Sequence, residues 1–511
     1  MKAVIIDCYT DEPAGLGVPP YIGTYPRYIA GALKKEKKAE HVFYLTIDDL
    51  RLKYLFDDNL KVSNKTNILA KNITPNYKEI FNIIEKSDLF IVNAGVHTPG
   101  KYLSAQPGTL AEIKKIIDKI IDEKQKNNTR FILTGPAGSL HGTRLEGGKF
   151  AEKIDKDFMA NFTEINENYL DINNYEKIKD YSTAGADIVK QHPDFNSRAN
   201  FLTAEIETGK GCSGNCSFCV EPKNRMEFRE QKDIISEIKA LHDIGVRHFR
   251  LGKQTCFYSY KRANSSEIIK LLRGIREACP KIKTLHIDNV APNAVVNAKE
   301  SEEITKAIVE FCTPGNIAAF GVESFDNEVI KANNLNSDPE TTLKAVEMIN
   351  KHGAVRGGNG MHKFLPGINL LFGLNKESKK THEENMRWLE KITEKNLIRR
   401  INIRQVAILE GTPLLELCGN KYLRKNKKYY WKWREEIRQK IDFPMLKKLL
   451  PEGTIMKQLR TEIHDGNTTF CRQAGTYPLI VGVKQKLELD RIVDIKVKSH
   501  MLRSIVGEIV E

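Results

Sequence analysis

Short β-branched runs alternate with amphipathic segments over most of this 511-residue chain, and that alternation is the tightest constraint on its fold. The first runs are Lys2–Asp7, His41–Thr46, Asp88–Asn93 and Arg130–Thr134, with helical stretches such as Arg27–Lys35 and Leu110–Asn127 between them. The later runs are Leu202–Glu207, His248–Leu251, Thr284–Asp288, Ile317–Val322, Asn369–Phe372 and Asn402–Ala407. Helical stretches Asp233–Leu241, Ser265–Ala278, Pro339–His352 and Lys380–Lys391 separate these. Strands that take turns with helices form parallel sheets, because each parallel crossover needs a helix's worth of chain. The fold class is therefore α/β. A doubly wound domain is predicted over residues 1–195 and a partial (β/α)6 barrel over 196–420. In both, ligands are expected beyond the carboxyl ends of the strands. A basic helical segment is predicted over 421–455, and a small antiparallel β module over 456–511 from the runs Leu487–Leu489, Arg491–Val497 and Ser504–Val510.

No run approaches eighteen consecutive apolar residues, so no membrane span is expected. The N-terminus reads at once as a strand and lacks the layered layout of a signal peptide, which predicts a cytoplasmic protein with reduced thiols. The net charge of +14 has two open readings. One is an anionic partner, whether nucleic acid, nucleotide cofactor or acidic protein; the other is a lysine-rich solvated surface. The basic, aromatic stretch Lys421–Lys440 divides the same way. Its residues suit phosphates and bases, or an amphipathic helix that packs Tyr430 and Trp433 inward.

Cys212, Cys216 and Cys219 lie on a glycine-bearing loop, Gly209-Lys-Gly-Cys-Ser-Gly-Asn-Cys-Ser-Phe-Cys219, directly after a strand run. At this spacing three thiolates can hold three corners of one cuboidal iron–sulfur cluster and leave one iron open for a ligand. A structural zinc site would call for a fourth Cys or His nearby, yet the next cysteine is Cys256. Cys8, Cys256, Cys279, Cys312, Cys418 and Cys471 are scattered, and most of them read as small buried residues.

The loop, with the aromatic Phe218 before its last cysteine, resembles the signature of the radical S-adenosylmethionine (SAM) enzymes. The resemblance implies a [4Fe–4S] cluster on Cys212, Cys216 and Cys219, whose open iron takes SAM and cleaves it to a 5′-deoxyadenosyl radical. Leu251-Gly252-Lys253-Gln254 resembles the Gly-Gly-Glu-like element at the second strand, with Lys253 and Gln254 replacing Gly and Glu. Gly321-Val322-Glu323-Ser324, followed by Val329–Asn334, is similar to the Gly-x-Glu-Ser element of the methylthiotransferase-like and coproporphyrinogen-oxidase-like branches. Leu370–Leu374 and Glu410–Pro413 are similar to later-strand elements. These matches imply Phe218, Gly252, Gln254, Glu323 and Ser324 as SAM contacts.

The whole chain is also similar to archaeal radical SAM proteins known as iron–sulfur oxidoreductases, over stretches that include Arg247–Gly252, Thr284–Asn289, Arg399–Gln405 and Gln473–Pro478. Many of those carry a C-terminal helix-hairpin-helix, before which this chain stops. The N-terminal domain resembles the Rossmann-like cobalamin-binding domain of class B radical SAM methyltransferases, through Pro19-Pro20, Tyr28–Leu33 and Thr134-Gly135-Pro136. That implies cobalamin near Gly95, Gly135 and Pro136. There is no Asp-x-His-x-x-Gly element, which this branch does not need. The corresponding domain of methylthiotransferases supplies three cysteines for a second cluster; here only Cys8 stands in it.

The leading expectation is thus a cobalamin-dependent radical SAM C-methyltransferase acting on an unactivated carbon. A protein residue such as a glutamine of methyl-coenzyme M reductase is one target known in that class. A second expectation is a tRNA-modifying enzyme of methylthiotransferase type, since Val493–Val497 through Arg503–Gly507 resembles a TRAM-like barrel. A third is a cluster-bearing sensor or scaffold without activity. The enzyme readings imply a low-potential electron donor and a protein or RNA substrate. His97, His141, His286 and His362 stand near strand ends or loops, and Tyr21, Tyr25 and Tyr102 near the predicted corrinoid side. For all of these, chemistry and packing both remain open.

Overall fold

A computed structural model describes residues 1–9, 21–55, 77–95, 107–124, 129–135, 162, 164–165, 170–223 and 225–510. The chain divides into two compact units. One comprises Met1–Glu146, Ala151–Ile206 and Lys232–Arg247; the other comprises Gly147–Phe150, Glu207–Gln231 and His248–Glu511.

In the first unit β1 (Lys2–Asp7) is buried along almost its whole length, as a strand covered on both faces must be. A two-residue strand, β2 (Tyr21–Ile22), follows. Then come β3 (His41–Thr46), β4 (Leu89–Asn93), β5 (Arg130–Thr134) and β6 (Glu164–Ile165). The main sheet runs β3-β1-β4-β5-β6, with each neighbouring pair parallel. Strand order therefore reverses between β1 and β4, and a ligand crevice is expected beyond Asp7 and Asn93. Val4, Ile6, Phe90, Val92 and Leu133 form the core with Ile113, Ile117 and Ile120 from the helix Leu110–Lys124. The helix Thr24–Lys35 meets the helix Tyr175–Ala184 at a backbone contact that a Cβ on Gly31 would occupy. Arg27 is fully buried beside Glu237 and also donates to the Glu205 carbonyl. The strand β2 pairs in parallel with β7 (Thr203–Glu207); two residues are too few to show a periodicity in sequence.

The second unit begins where β7 ends. A small antiparallel pair, β8 (Gly209–Lys210) with β9 (Glu227–Phe228), closes the base of the cysteine loop. The strands β10 (His248–Gly252) and β11 (Thr284–Ile287) run parallel, as do β12 (Asn289–Val290), β13 (Asn316–Glu323), β14 (Phe364–Phe372) and β15 (Arg400–Gln405). The β11 segment is tied to β13 by Ile287 N–H on Asn316 Oδ1 (3.0 Å) and by Ala319 N–H on the Asp288 carbonyl (3.2 Å). Amphipathic helices such as Ser265–Ala278, Pro339–Gly353 and Lys379–Lys395 alternate with these strands. The α/β class with parallel sheets is thus present.

The helix Lys421–Ile437 buries Tyr422, Asn426, Tyr430, Trp433 and Ile437, one side of the helix, and leaves its lysines exposed. The chain ends in a closed barrel of β16 (Ile455–Asp465), β17 (Thr468–Gln473), β18 (Ile480–Val483), β19 (Ile492–His500) and β20 (Ile505–Ile509). Two details depart from the expected antiparallel module. The β18–β20 pair is parallel, which is how the barrel closes. Leu487–Leu489 is loop, held where Leu487 N–H donates to Thr469 Oγ1 at 2.9 Å. Among the described residues no helix is long and apolar enough to cross a membrane.

Candidate metal centre

Each cysteine sulfur of the loop has a main-chain N–H beside it. Gly214 N–H reaches Cys212 Sγ at 3.2 Å, and the amides of Asn336 and Glu221 donate to Cys216 and Cys219. Burial, then the charges of Glu323 and the neighbouring thiols, pushes Cys216 up to about 12. Cys219 is pushed up to about 11, chiefly by burial.

The loop is anchored by Ser217, whose N–H and hydroxyl both donate to Asn333, at 2.9 Å each. Asn333 in turn donates to the Asn375 carbonyl (2.9 Å) and accepts from Asn375 N–H (3.2 Å). The carbonyl of Ser217 receives Leu414 N–H at 2.8 Å. Gly214 packs on Asn336, where an added Cβ would lie 2.5 Å from the amide nitrogen. Phe218 faces away into the apolar cluster of Val329, Leu374, Val406 and Leu414.

At the end of β10, Gly252 is buried and Lys253 takes a positive φ of 57°, a conformation glycine adopts at less cost. The Lys253 amine lies 3.7 Å from the Glu207 carboxylate. Gln254 is buried; it accepts from Thr208 Oγ1 (2.9 Å) and donates to the Leu251 carbonyl (3.2 Å), so it braces the strand end.

Glu323 sits in a γ-turn: Ser324 N–H bonds back to the Val322 carbonyl at 2.8 Å while Glu323 holds φ at 64°. A bulge between Gly321 and Glu323 re-aims the strand at this point. Burial raises the Glu323 carboxyl to about 8, against a lowering pull from Arg404. Ser324 accepts Asp326 N–H (3.1 Å), and Asp326 accepts Thr381 Oγ1 (2.6 Å), which fixes the turn from behind.

In the first unit Gly95 is buried, and Gly135 takes φ 77°, with a Cβ there falling 2.7 Å from the Ala94 carbonyl. Pro136, His97, His141 and Tyr102 lie outside the described residues. Burial raises the buried Cys8 thiol well above its usual value. Tyr21 is buried, and Tyr25 half-buried. Burial depresses His286 to about 4, and its Nδ1 accepts Thr476 N–H at 3.1 Å. His362 is likewise depressed by burial to about 4, and bridges to Arg356.

The donor set suits an iron–sulfur cluster. Burial raises the Cys216 and Cys219 thiols, so a positive partner is needed to hold them as thiolates. Among the described residues no three His, Cys, Asp or Glu side chains gather as they would around one ion.

The radical SAM superfamily matches residues 206–389. An uncharacterized protein of Methanocaldococcus jannaschii is 41% identical across 100% of this chain and 93% of its own length. The chain belongs to the radical SAM superfamily. Membership implies a [4Fe–4S] cluster and SAM. The ribosomal protein uS12 methylthiotransferase RimO of Clostridioides difficile is 24% identical over 31% of this chain and 34% of that protein. The radical SAM methyltransferase TsrM of Kitasatospora setae, solved with tryptophan substrate and a SAM analogue, is similar in fold at a TM-score of 0.51 and 13% identity. That likeness covers 91% of this chain and 79% of TsrM.

The motif residues foreseen in this radical SAM chain thus include Glu323 and Ser324 at a strained strand end. Asn333, Asn375 and Ser217, which brace the loop, carry no signature of their own. Asn333 lies within the Val329–Asn334 stretch, but its bonding to Ser217 depends on tertiary contacts.

Proposed function

We propose that this protein is a cobalamin-dependent radical SAM C-methyltransferase that acts on an unactivated carbon. Cys212, Cys216 and Cys219 would hold the cluster, with the amides of Gly214, Asn336 and Glu221 on their sulfurs. When bound, the cluster and SAM supply a hydrogen-abstracting radical, and cobalamin supplies a methyl group. Glu323 presents a desolvated carboxyl that a cationic group would ionise, and the ammonium of SAM is such a group. The Gly252 strand end, braced by Gln254, leaves main-chain groups for the same ligand. The crevice beyond Asp7 and Asn93, with Gly95 and Gly135 at its rim, would take the corrinoid.

The observation that carries methyl transfer over sulfur insertion is the lone Cys8. The first unit has no second thiol to share a cluster with it, and burial holds that thiol protonated. A methylthiotransferase needs a sulfur-donating cluster there. RNA remains a substrate option on the strength of the closed terminal barrel, since small β-barrels often bind RNA.

Anaerobic purification and reconstitution, with iron counting and optical spectra, test the reading. One cluster with a bound corrinoid, and release of 5′-deoxyadenosine lost in Cys219→Ala, would support it. Two clusters without a corrinoid would overturn it in favour of sulfur insertion.

A further inference from the structure

Along β14 and β15 the partly open residues alternate with buried ones. Asn369 and Leu371 are partly open, while Ile368, Leu370 and Phe372 are buried. Arg400, Asn402 and Arg404 are partly open, while Ile401 and Ile403 are buried. One face of this sheet is therefore buried, and the more open one carries Asn369, Arg400, Asn402 and Arg404. Along this face Asn402 Nδ2 donates to Asn369 Oδ1 at 3.2 Å.

The terminal barrel supplies the platform beneath this face. Its segment Gln473–Pro478 inserts against the starts of the strands, where Thr476 N–H bonds His286 and Arg399 donates to the Tyr477 carbonyl at 2.9 Å. Gly475 has a φ of 148°, and a Cβ there would lie 2.7 Å from the His286 ring. Tyr477 faces Asp288 with its hydroxyl (3.4 Å), and the Arg400 guanidinium carbon lies over its ring, 3.9 Å from the centre. That stack is the contact the structure gives the Arg400 guanidinium. Among the described residues it makes no hydrogen bond and no ion pair. Burial and the like charges of Arg404 and Arg438 depress it to about 10. The nearby carboxylate of Asp442 is already paired with Arg438.

We propose that Arg400, held on the Tyr477 platform, is the anchor for an oxyanion group, a carboxylate or a phosphate, on the substrate. A planar guanidinium with its N–H groups open and its position fixed by stacking is preorganised for two parallel bonds to such a group. Arg400 lies four residues from Arg404 on one strand, ~13 Å farther from the cluster end of the barrel. The anchored group is therefore remote from the carbon that reacts. The terminal barrel, on this account, completes the substrate site.

The inference rests on the barrel being the site of the proposed chemistry, yet its test involves no turnover. The full-length, cluster-reconstituted protein is titrated calorimetrically with inorganic phosphate and with acetate, without SAM. Wild type is expected to bind at least one of them, and the tighter one names the group. Arg400→Gln should weaken that binding about tenfold or more. Arg400→Lys, which keeps charge but loses the fork, should fall between and guards against a folding defect. Arg491→Gln, on the exposed surface, should bind as wild type does. The proposal is overturned if wild type binds neither anion, if Arg400→Gln binds as wild type does, or if Arg491→Gln loses as much. Loss of SAM cleavage would count against the radical reading and leave this result untouched.

Discussion

Glu377 offers a direct measure of how tightly the cysteine loop is braced. It is 2% exposed. Its carboxylate accepts Gly373 N–H at 2.7 Å and Asn426 Nδ2 at 2.8 Å. The loop it pins carries Asn375, which bonds Asn333 and through it Ser217. Burial raises this carboxyl from 4.5 to about 7, against the pull of its two donors. The folded chain thus keeps a proton between about pH 4.5 and 7 that the unfolded chain has released. Stability falls as pH rises through that window and levels off above it. The whole difference corresponds to about 3 kcal/mol. Glu377→Gln cannot ionise, so whatever its offset from wild type, the gap should move in the variant's favour between pH 5 and pH 8 by about 2.5 kcal/mol, or about 4 °C in Tm. Differential scanning fluorimetry of the cluster-free protein reads this, and iron content after reconstitution at pH 8 should be unchanged. A gap that stays constant over that range would refute the reasoning, because the carboxylate would then be solvated as well in the folded chain as in the unfolded one.

Other changes act at the loop and in the first unit. Asn333→Ala removes the partner of Ser217 and Asn375; it should cost about 1–3 kcal/mol and lower the iron bound per chain after reconstitution. Gly31→Ala places a methyl group on the backbone of the Tyr175–Ala184 helix and should lower the first unfolding transition, whereas Gly453→Ala, with open space around it, should spare packing and cost only backbone strain. Glu323→Gly relieves a positive φ worth about 1 kcal/mol and removes a desolvated carboxyl. Its melting temperature should hold or rise while SAM binding, read by equilibrium dialysis, falls.

The strands of the first sheet were legible because each is a compact, largely buried run rich in β-branched residues, and β14 and β15 because buried apolar residues recur along them. The four runs of the first sheet stand at their expected positions to within a residue. The cysteine loop was legible for a different reason: spacing alone limits what three thiols can hold. What escaped is non-local. A two-residue strand such as β2 exists only because β7 lies beside it. The parallel β18–β20 closure depends on where the whole terminal barrel turns. Arg400 reads in sequence as one more cation in Arg399-Arg-Ile-Asn-Ile-Arg404. Its meaning comes from strand alternation combined with a tyrosine seventy-seven residues onward, and no periodicity links the two.

Lys253 is a case where two local terms compete and the structure says which should win. A lysine at φ 57° costs about 1 kcal/mol that glycine would not. Against that stands its amine, 3.7 Å from Glu207, with both side chains about nine-tenths buried. Removing one member of a buried pair costs about 3–5 kcal/mol where geometry is tight, and less here, because the separation is long. Lys253→Gly should therefore lower stability by a net ~1–2 kcal/mol despite relieving the backbone. Adding Glu207→Gln should recover most of that loss, since the carboxylate is then no longer there to be compensated. If SAM binding survives Lys253→Gly, the strand end serves its ligand through main-chain groups, and the lysine is there to neutralise Glu207. If Lys253→Gly is instead more stable than wild type, the pair contributes nothing, and the positive φ is the price of a side chain that acts on the ligand itself.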